Sequence, residues 1–210
     1  RQLPENVFRE LYLAEPSEDG GNPFGEKSID ACVAPMSTSP PAVLGWDLAK
    51  EVDWTVGIAL DANGVTCGFD RWNRHALPAG MTGDYWEATE NRIRMITGQT
   101  PAFVDSTGNG DSVFERIAKG RPKIEPYVFT SKSKQQLMEG LAVAIQQRRV
   151  KFPTGPVVTE LKAFEYEYTR SGVKYSAPEG MHDDCVCALA LAVSKLAKPA
   201  GQVSVTPLLI

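Results

Sequence analysis

Between residues 42 and 72 the chain is written in strand chemistry, and beyond residue 84 strand-like runs alternate with helix-like ones. This switch of pattern constrains the fold more than any other feature. Ala42–Leu48 and Trp54–Leu60 are short, mostly apolar runs, the second rich in β-formers. Asp61-Ala62-Asn63-Gly64 supplies a hairpin turn, because Asn-Gly tolerates positive φ, and Val65–Trp72 follows as a third strand. The expected product is an antiparallel meander. After it, Asp84–Thr97 carries Trp86, Ile93 and Ile96 at near-helical spacing and stops at Gly98. Pro101–Asp105 predicts a strand, Asp111–Lys119 a helix ended by Gly120, Ile124–Phe129 a fifth strand and Ser133–Arg149 the longest helix. A hairpin about Arg170-Ser171-Gly172 precedes a nearly all-apolar helix, Cys185–Leu196. A meander followed by alternating strands and helices predicts an α/β fold: a mixed central sheet, three meander strands plus crossover strands, flanked by helices.

A length of 210 residues suits one domain with a short appendage. Residues 1–36 read as an arm outside the core, with an amphipathic stretch at Val7–Leu13 and a turn-rich Glu15–Gly25. Ser37–Pro41 reads as a linker, since successive prolines resist helix and block sheet pairing. The domain proper is expected at 37–197, with a tail at 198–210. No apolar run approaches the roughly 18 residues of a membrane span, and no signal peptide opens the chain. The start at Arg1 reads as a processed or excised piece. Cys32, Cys67, Cys185 and Cys187 show no CxxC spacing, which fits a reducing compartment.

The net charge of −4 would by itself discourage a nucleic-acid partner. Its distribution reverses that inference. The first 30 residues hold seven acids against three bases, so the rest of the chain is neutral overall. Within it, residues 115–151 hold nine bases and only Glu115, Glu125 and Glu139 as acids. Such a run is ordinarily a pair of solvated helix faces.

Acids fall at the ends of three elements. Asp47 interrupts an apolar strand, where a carboxylate is costly to bury unless a cation or donors meet it. Asp105 ends the fourth strand before Ser106-Thr107-Gly108-Asn109-Gly110, and sites in open α/β sheets form beyond strand C-termini. Asp183 and Asp184 begin the last helix. Each acid has a plainer role: a helix N-cap for Asp183 or Asp184, turn chemistry for Asp105. Asp47 has the weakest such alternative. Convergent carboxylates without a His or Cys cluster favour a hard cation, Mg²⁺ or Mn²⁺, over zinc. Two such ions roughly 3.5–4 Å apart support phosphodiester cleavage.

Gly45-Trp46-Asp47-Leu48-Ala49-Lys50, Val104-Asp105-Ser106-Thr107-Gly108-Asn109-Gly110-Asp111 and Gly180-Met181-His182-Asp183-Asp184-Cys185 together resemble a known pattern. It is that of the nuclease (C-terminal) domain of the large terminase subunit of tailed double-stranded DNA bacteriophages. The resemblance runs from about Val7 to Ala197 and implies a ribonuclease H-like fold. It implies a metal-dependent endonuclease that cuts double-stranded viral DNA with little sequence specificity during genome packaging, by two-metal hydrolysis leaving 5′-phosphate and 3′-hydroxyl ends. Asp47, Asp105 and a carboxylate of the His-Asp-Asp triplet, Asp184 ahead of Asp183, would ligate Mg²⁺ or Mn²⁺. His182 would orient a phosphate or a metal-bound water, though a plain helix-start role fits it equally, and Asp53 would assist outer-shell hydration. Residues 1–36 then read as a remnant of the linker from an ATPase domain. No G-x-x-x-x-G-K-[ST] loop occurs, so no ATP site is expected in this fragment. The implied partners are double-stranded DNA and, in the full-length protein, the ATPase domain, small terminase subunit and portal. The implied setting is the cytoplasm of the infected bacterial host, with no membrane.

On that reading Arg116, Lys119, Arg121, Lys123, Lys132 and Lys134, with Arg74 after the third strand, become candidates for a DNA-backbone path. Contacts of this kind position DNA without reading its sequence. Two alternatives compete. An actin-like ATPase or phosphotransferase also begins with an Asp in a strand before a hairpin, but Ala49-Lys50-Glu51 is a poor phosphate cradle. The other is a non-catalytic nuclease-like module that docks on portal or capsid.

Overall fold

The computed structural model describes residues 21–49, 53–108, 110–169 and 172–196. The predicted stretch at Val7–Leu13, the turn at 170–171 and the tail at 198–210 lie outside the described residues.

Five strands make one sheet: β1 (Val43–Asp47), β2 (Thr55–Leu60), β3 (Thr66–Trp72), β4 (Ala102–Asp105) and β5 (Ile124–Tyr127), in the order β3-β2-β1-β4-β5. The β1–β2 and β2–β3 pairs are antiparallel, while β1–β4 and β4–β5 are parallel. The predicted meander and the mixed sheet are both present. Between β2 and β3 the Asp61 carboxylate accepts from the backbone N–H groups of Asn63 and Val65, 2.9 Å each. Gly64 closes this turn at φ 79°, and the Arg149 carbonyl lies 2.2 Å from where a Cβ would sit. A side chain is excluded there on both counts.

Helices cover both faces of the sheet, and strand alternation divides β1 between them. Leu44 and Trp46 pack with Trp72, Ile93, Val113 and Ile117 under α2 (Tyr85–Thr97) and α3 (Gly110–Ala118). On the other face Val43, Val56, Ile58 and Leu60 meet α4 (Ser131–Gln146) and α6 (Asp184–Lys195). Gly45 shares that second face. A Cβ on it would stand 2.1 Å from the Ala188 carbonyl and 2.5 Å from the Ala192 nitrogen, so α6 lies directly on β1. Residues 184–192 of α6 are continuously buried, which explains why its sequence is apolar all round.

The structure corrects the expectation of an arm outside the core. The described part of the supposed arm is core: Phe24, Ile29 and Cys32 are fully buried, and Phe24 stacks on Phe164 with centroids 5.5 Å apart. Asn22 fixes this stretch, donating to the Leu161 carbonyl at 2.8 Å and accepting from the Phe24 N–H. Burying Phe24 and Ile29 contributes about 1.5–3 kcal/mol each. Two short helices were not foreseen, α1 (Glu26–Cys32) and α5 (Pro156–Ala163). A separate hairpin, β6 (Glu165–Thr169) with β7 (Gly172–Ser176), completes the fold.

Candidate metal centre

Register sets the site. Trp46 pairs with Val104 across the parallel β1–β4 ladder, so Asp47 and Asp105 are the next residues on neighbouring strands. They stand level, at the same sheet end and on the face that α6 covers. Asp184, at the start of α6, is delivered to that end because Gly45 lets the helix settle on β1. All three are buried: Asp47 is 8% exposed, Asp105 3% and Asp184 7%.

Neither acid of the His-Asp-Asp triplet acts as an ordinary helix cap. Asp183 occupies the N-cap position of α6 but makes no capping bond. Its Oδ2 instead accepts from Lys134 Nζ at 2.8 Å. Asp184 Oδ2 accepts from the backbone N–H of Trp54 at 3.3 Å. The open N–H of Cys185 is met from another helix by Glu160 Oε2 at 2.7 Å. His182 Nδ1 stands 3.4 Å from Asp184 Oδ2 and 3.8 Å from Asp53 Oδ1, at the exposed rim. Asp105 keeps the turn chemistry its sequence suggests: its Oδ1 accepts from the N–H and the hydroxyl of Thr107.

The electrostatics are those of crowded like charge. Burial, reinforced by Asp105, Asp184 and Asp183, pushes the Asp47 carboxyl well above its ordinary range, and Lys134 offsets only part of this. Burial also pushes Asp184 up to about 7, helped by Glu160, Asp53 and Asp183 and opposed by the Trp54 N–H. Burial likewise pushes the Cys185 and Cys187 thiols up, with nearby carboxylates adding to the effect. Both effects favour the neutral thiols, so the charged side chains facing the site are carboxylates.

That set suits a hard divalent cation in its chemistry: buried carboxylates from three elements lie at one sheet end, and their mutual repulsion would be relieved by added positive charge. Among the described residues, no three His, Cys, Asp or Glu side chains stand together as a closed metal cage. The acids are close enough to interact but are not drawn in around a common point.

The basic candidates divide between the two ends of the sheet. Lys132 and Lys134 open α4, which follows β5 at the acid end, and exposed Arg74 follows β3 at that same end. Arg74 rests over the rings of Tyr85 and Trp86. Arg116, Lys119, Arg121 and Lys123 lie at the opposite end, where α3 finishes and β5 begins. There Arg116 pairs with Glu90 at 2.6 Å, and Arg121 donates to the Gly98 carbonyl. The structure does not bring these four to the acids, because α3 runs back along the sheet before β5 starts.

Comparison with known proteins identifies the family and the fold. The profile of a family described as the terminase RNaseH-like domain matches residues 44–196, spanning all four acids. The chain belongs to that family. Among solved structures, the large terminase nuclease from thermophilic phage G20c with bound magnesium is 24% identical. That match covers 86% of this chain and 99% of the other, with a TM-score of 0.69. The Thermus phage P74-26 large terminase nuclease domain is also 24% identical, covering 84% and 97% at a TM-score of 0.66. The HK97 bacteriophage large terminase is 15% identical at a TM-score of 0.61, covering 90% of this chain and 47% of its own length. These likenesses establish the ribonuclease H-like fold. The G20c nuclease has also been crystallised with cobalt and with zinc. No curated protein matches the chain.

Three neighbours of these acids carry no signal in the reading of the sequence. Glu160 lies on the unforeseen α5, and Arg71 binds it at 3.4 Å while stacking over Trp54 at 4.0 Å. Thr107 bridges Asp105 and the N–H of Phe129, the latter at 2.8 Å. Pro156 after Gly155 is a start signal that would have revealed α5. Nothing in the sequence marks Arg71 or Thr107 as partners of distant residues.

Proposed function

We propose that this domain is a metal-dependent endonuclease that cuts double-stranded viral DNA, with little sequence preference, during genome packaging. Membership of the terminase family supports a nuclease role in packaging. The observation that carries the finer reading is that Asp47, Asp105 and Asp184 are buried at one sheet end, where like charge from its neighbours adds to burial in raising Asp47. Asp47, Asp105 and Asp184, with Asp183 beside them, would hold Mg²⁺ or Mn²⁺, in a two-ion site. When bound, such ions neutralise charge at the scissile phosphate and make water a better nucleophile.

The chain's own residues set the frame for that chemistry. Thr107 fixes the Asp105 carboxylate and the Trp54 N–H fixes Asp184, so neither must be ordered when DNA arrives. Glu160 satisfies the first turn of α6 and leaves both acids of the triplet free of capping. His182 Nδ1, 3.4 Å from Asp184 Oδ2, would help position that carboxylate at the rim. Lys132 and Arg74, exposed at the acid end, are the bases positioned to meet a DNA backbone, and contacts to phosphate alone leave cleavage indifferent to sequence. The expected partners are DNA and the rest of a packaging motor. Among the described residues no helix is long and apolar enough to cross a membrane.

Incubation with supercoiled plasmid and Mn²⁺ or Mg²⁺ tests the reading. Conversion to open-circular and linear forms by the unaltered chain, absent with chelator, is the expected result. Plasmid that stays supercoiled with every divalent ion tried would contradict it.

A further inference from the structure

The sequence groups Lys134 with several bases along a DNA path, yet its surroundings are unlike those of the others. Its Nζ lies 2.8 Å from Asp183 Oδ2, inside the acid site, and its side chain is 27% exposed. The charge of Lys134 is felt at Asp47 and at Cys187 as well as at Asp183. Arg116 and Lys195, by contrast, pair with Glu90 and Glu125 at the opposite end of the sheet.

The position is built rather than incidental. Lys134 sits in the first turn of α4, its N–H donating to the Thr130 carbonyl at 2.8 Å. That turn is locked by a reciprocal cap in which the Thr130 hydroxyl accepts from the Ser133 N–H and Ser133 Oγ accepts from the Thr130 N–H. One residue earlier, Phe129 donates its N–H to Thr107 Oγ1, the hydroxyl that also binds Asp105. A continuous set of bonds therefore runs from Asp105 through Thr107 and the α4 cap to Lys134 and on to Asp183. The backbone of Lys134 is thereby fixed next to Asp105, and its ammonium reaches Asp183 from that anchor.

We propose that Lys134 is the resident counter-ion of the acid site: it holds Asp183 in the metal-free protein and releases that carboxylate when a divalent cation binds. The inference rests on the reading of the site as a metal centre. Three features favour exchange over permanent pairing. The acids crowd around a region where added positive charge is stabilising, and a divalent ion supplies more of it than one ammonium. The partial exposure of Lys134 gives its head group water to move into. A lysine holds a carboxylate as a strongly hydrated point charge on a flexible stem, without the two-pronged grip of arginine. The consequence is regulatory: Lys134 lowers the site's metal affinity while keeping the metal-free fold tolerable, so loading requires the cation to compete.

The test is a calorimetric titration of Mg²⁺ into the metal-free chain without DNA, for the unaltered protein, Lys134→Met and Lys134→Arg. The Met variant is expected to bind Mg²⁺ about tenfold or more tightly, because a competing charge is gone. Its metal-free melting temperature should be lower and its rise on adding Mg²⁺ larger, while the Arg variant should stay near the unaltered protein. Equal or weaker Mg²⁺ binding by the Met variant would overturn the proposal. If the unaltered chain binds no Mg²⁺ or Mn²⁺, the metal-centre reading fails and the inference falls with it. Should the Met variant not fold, crystals of the unaltered chain with Mn²⁺ decide the matter. Separation of Lys134 Nζ from Asp183 Oδ2 beyond 4 Å is expected, and a pair still at 2.8 Å with Mn²⁺ bound would overturn the proposal.

Discussion

Two buried aspartates stand at opposite ends of the same sheet, and their environments are inverted. Asp61, 2% exposed, follows β2 at the end where β1 begins, while Asp47, 8% exposed, closes β1 at the other. Burial alone would raise both. Around Asp61, hydrogen bonds from the Ser37 hydroxyl and the N–H groups of Val65 and Asn63 outweigh burial and leave its carboxyl below the ordinary value. Around Asp47 the neighbours are acids, and they add to the effect of burial. A carboxylate kept for structure is given donors; one surrounded by its own kind is costly to keep and stands where an added cation belongs. The same contrast separates the bases, since Arg116 and Arg121 are satisfied at the Asp61 end while Lys134 serves the acids.

The contrast can be broken at either end. The largest effect is expected from Asp47→Asn, which should reduce metal-dependent plasmid cleavage by about a thousandfold or more. Because it removes a repelled charge, the metal-free melting temperature should hold or rise, as differential scanning calorimetry would show. Asp61→Ala should do the reverse. It leaves buried N–H groups without an acceptor and should cost about 2–3 kcal/mol of stability, with cleavage per folded molecule unchanged. That cost corresponds to a fall of roughly 4–12 °C in melting temperature. A loss of cleavage without a loss of stability in Asp61→Ala would erase the distinction.

The pH dependence of Asp61 sharpens it. Its carboxyl is lowered by folding, so its contribution is fully present above the unfolded value, about pH 4, and disappears as pH falls through the folded one. Asp61→Asn should therefore lose less stability than the unaltered chain between about pH 5 and pH 2, measured by urea unfolding. Smaller still is Glu160→Ala, expected to cost about 1–2 kcal/mol by opening the first turn of α6. It should also slow cleavage through disorder at Asp184, while Arg116→Met at the far end should leave both melting temperature and cleavage nearly unchanged.

The sheet was legible because its strands are short apolar runs bounded by strong turn chemistry, and Asp61 through Gly64 is the clearest instance. The acids were legible for a related reason: Asp47 violates the pattern of its own strand. What the sequence concealed was of two kinds. Helices α1 and α5 span seven and eight residues, too short for periodicity to rise above their flanking turns, so Phe24 and Glu160 went unplaced. The charge count of residues 115–151 mixed bases from both ends of the sheet, because position along the chain does not record which way α3 runs. Boundaries moved by a few residues where caps decide them, as at α4, which starts at Ser131 behind Thr130 instead of at Ser133.

The central claim is that the end of the sheet bearing Asp47 is a metal centre. Anomalous diffraction from crystals of the unaltered chain soaked in Mn²⁺ tests it most directly. The account predicts Mn²⁺ bound by Asp47, Asp105 and Asp184, with the Asp61 end of the sheet free of metal. Well-diffracting crystals saturated with Mn²⁺ but showing no anomalous density among those acids would contradict it.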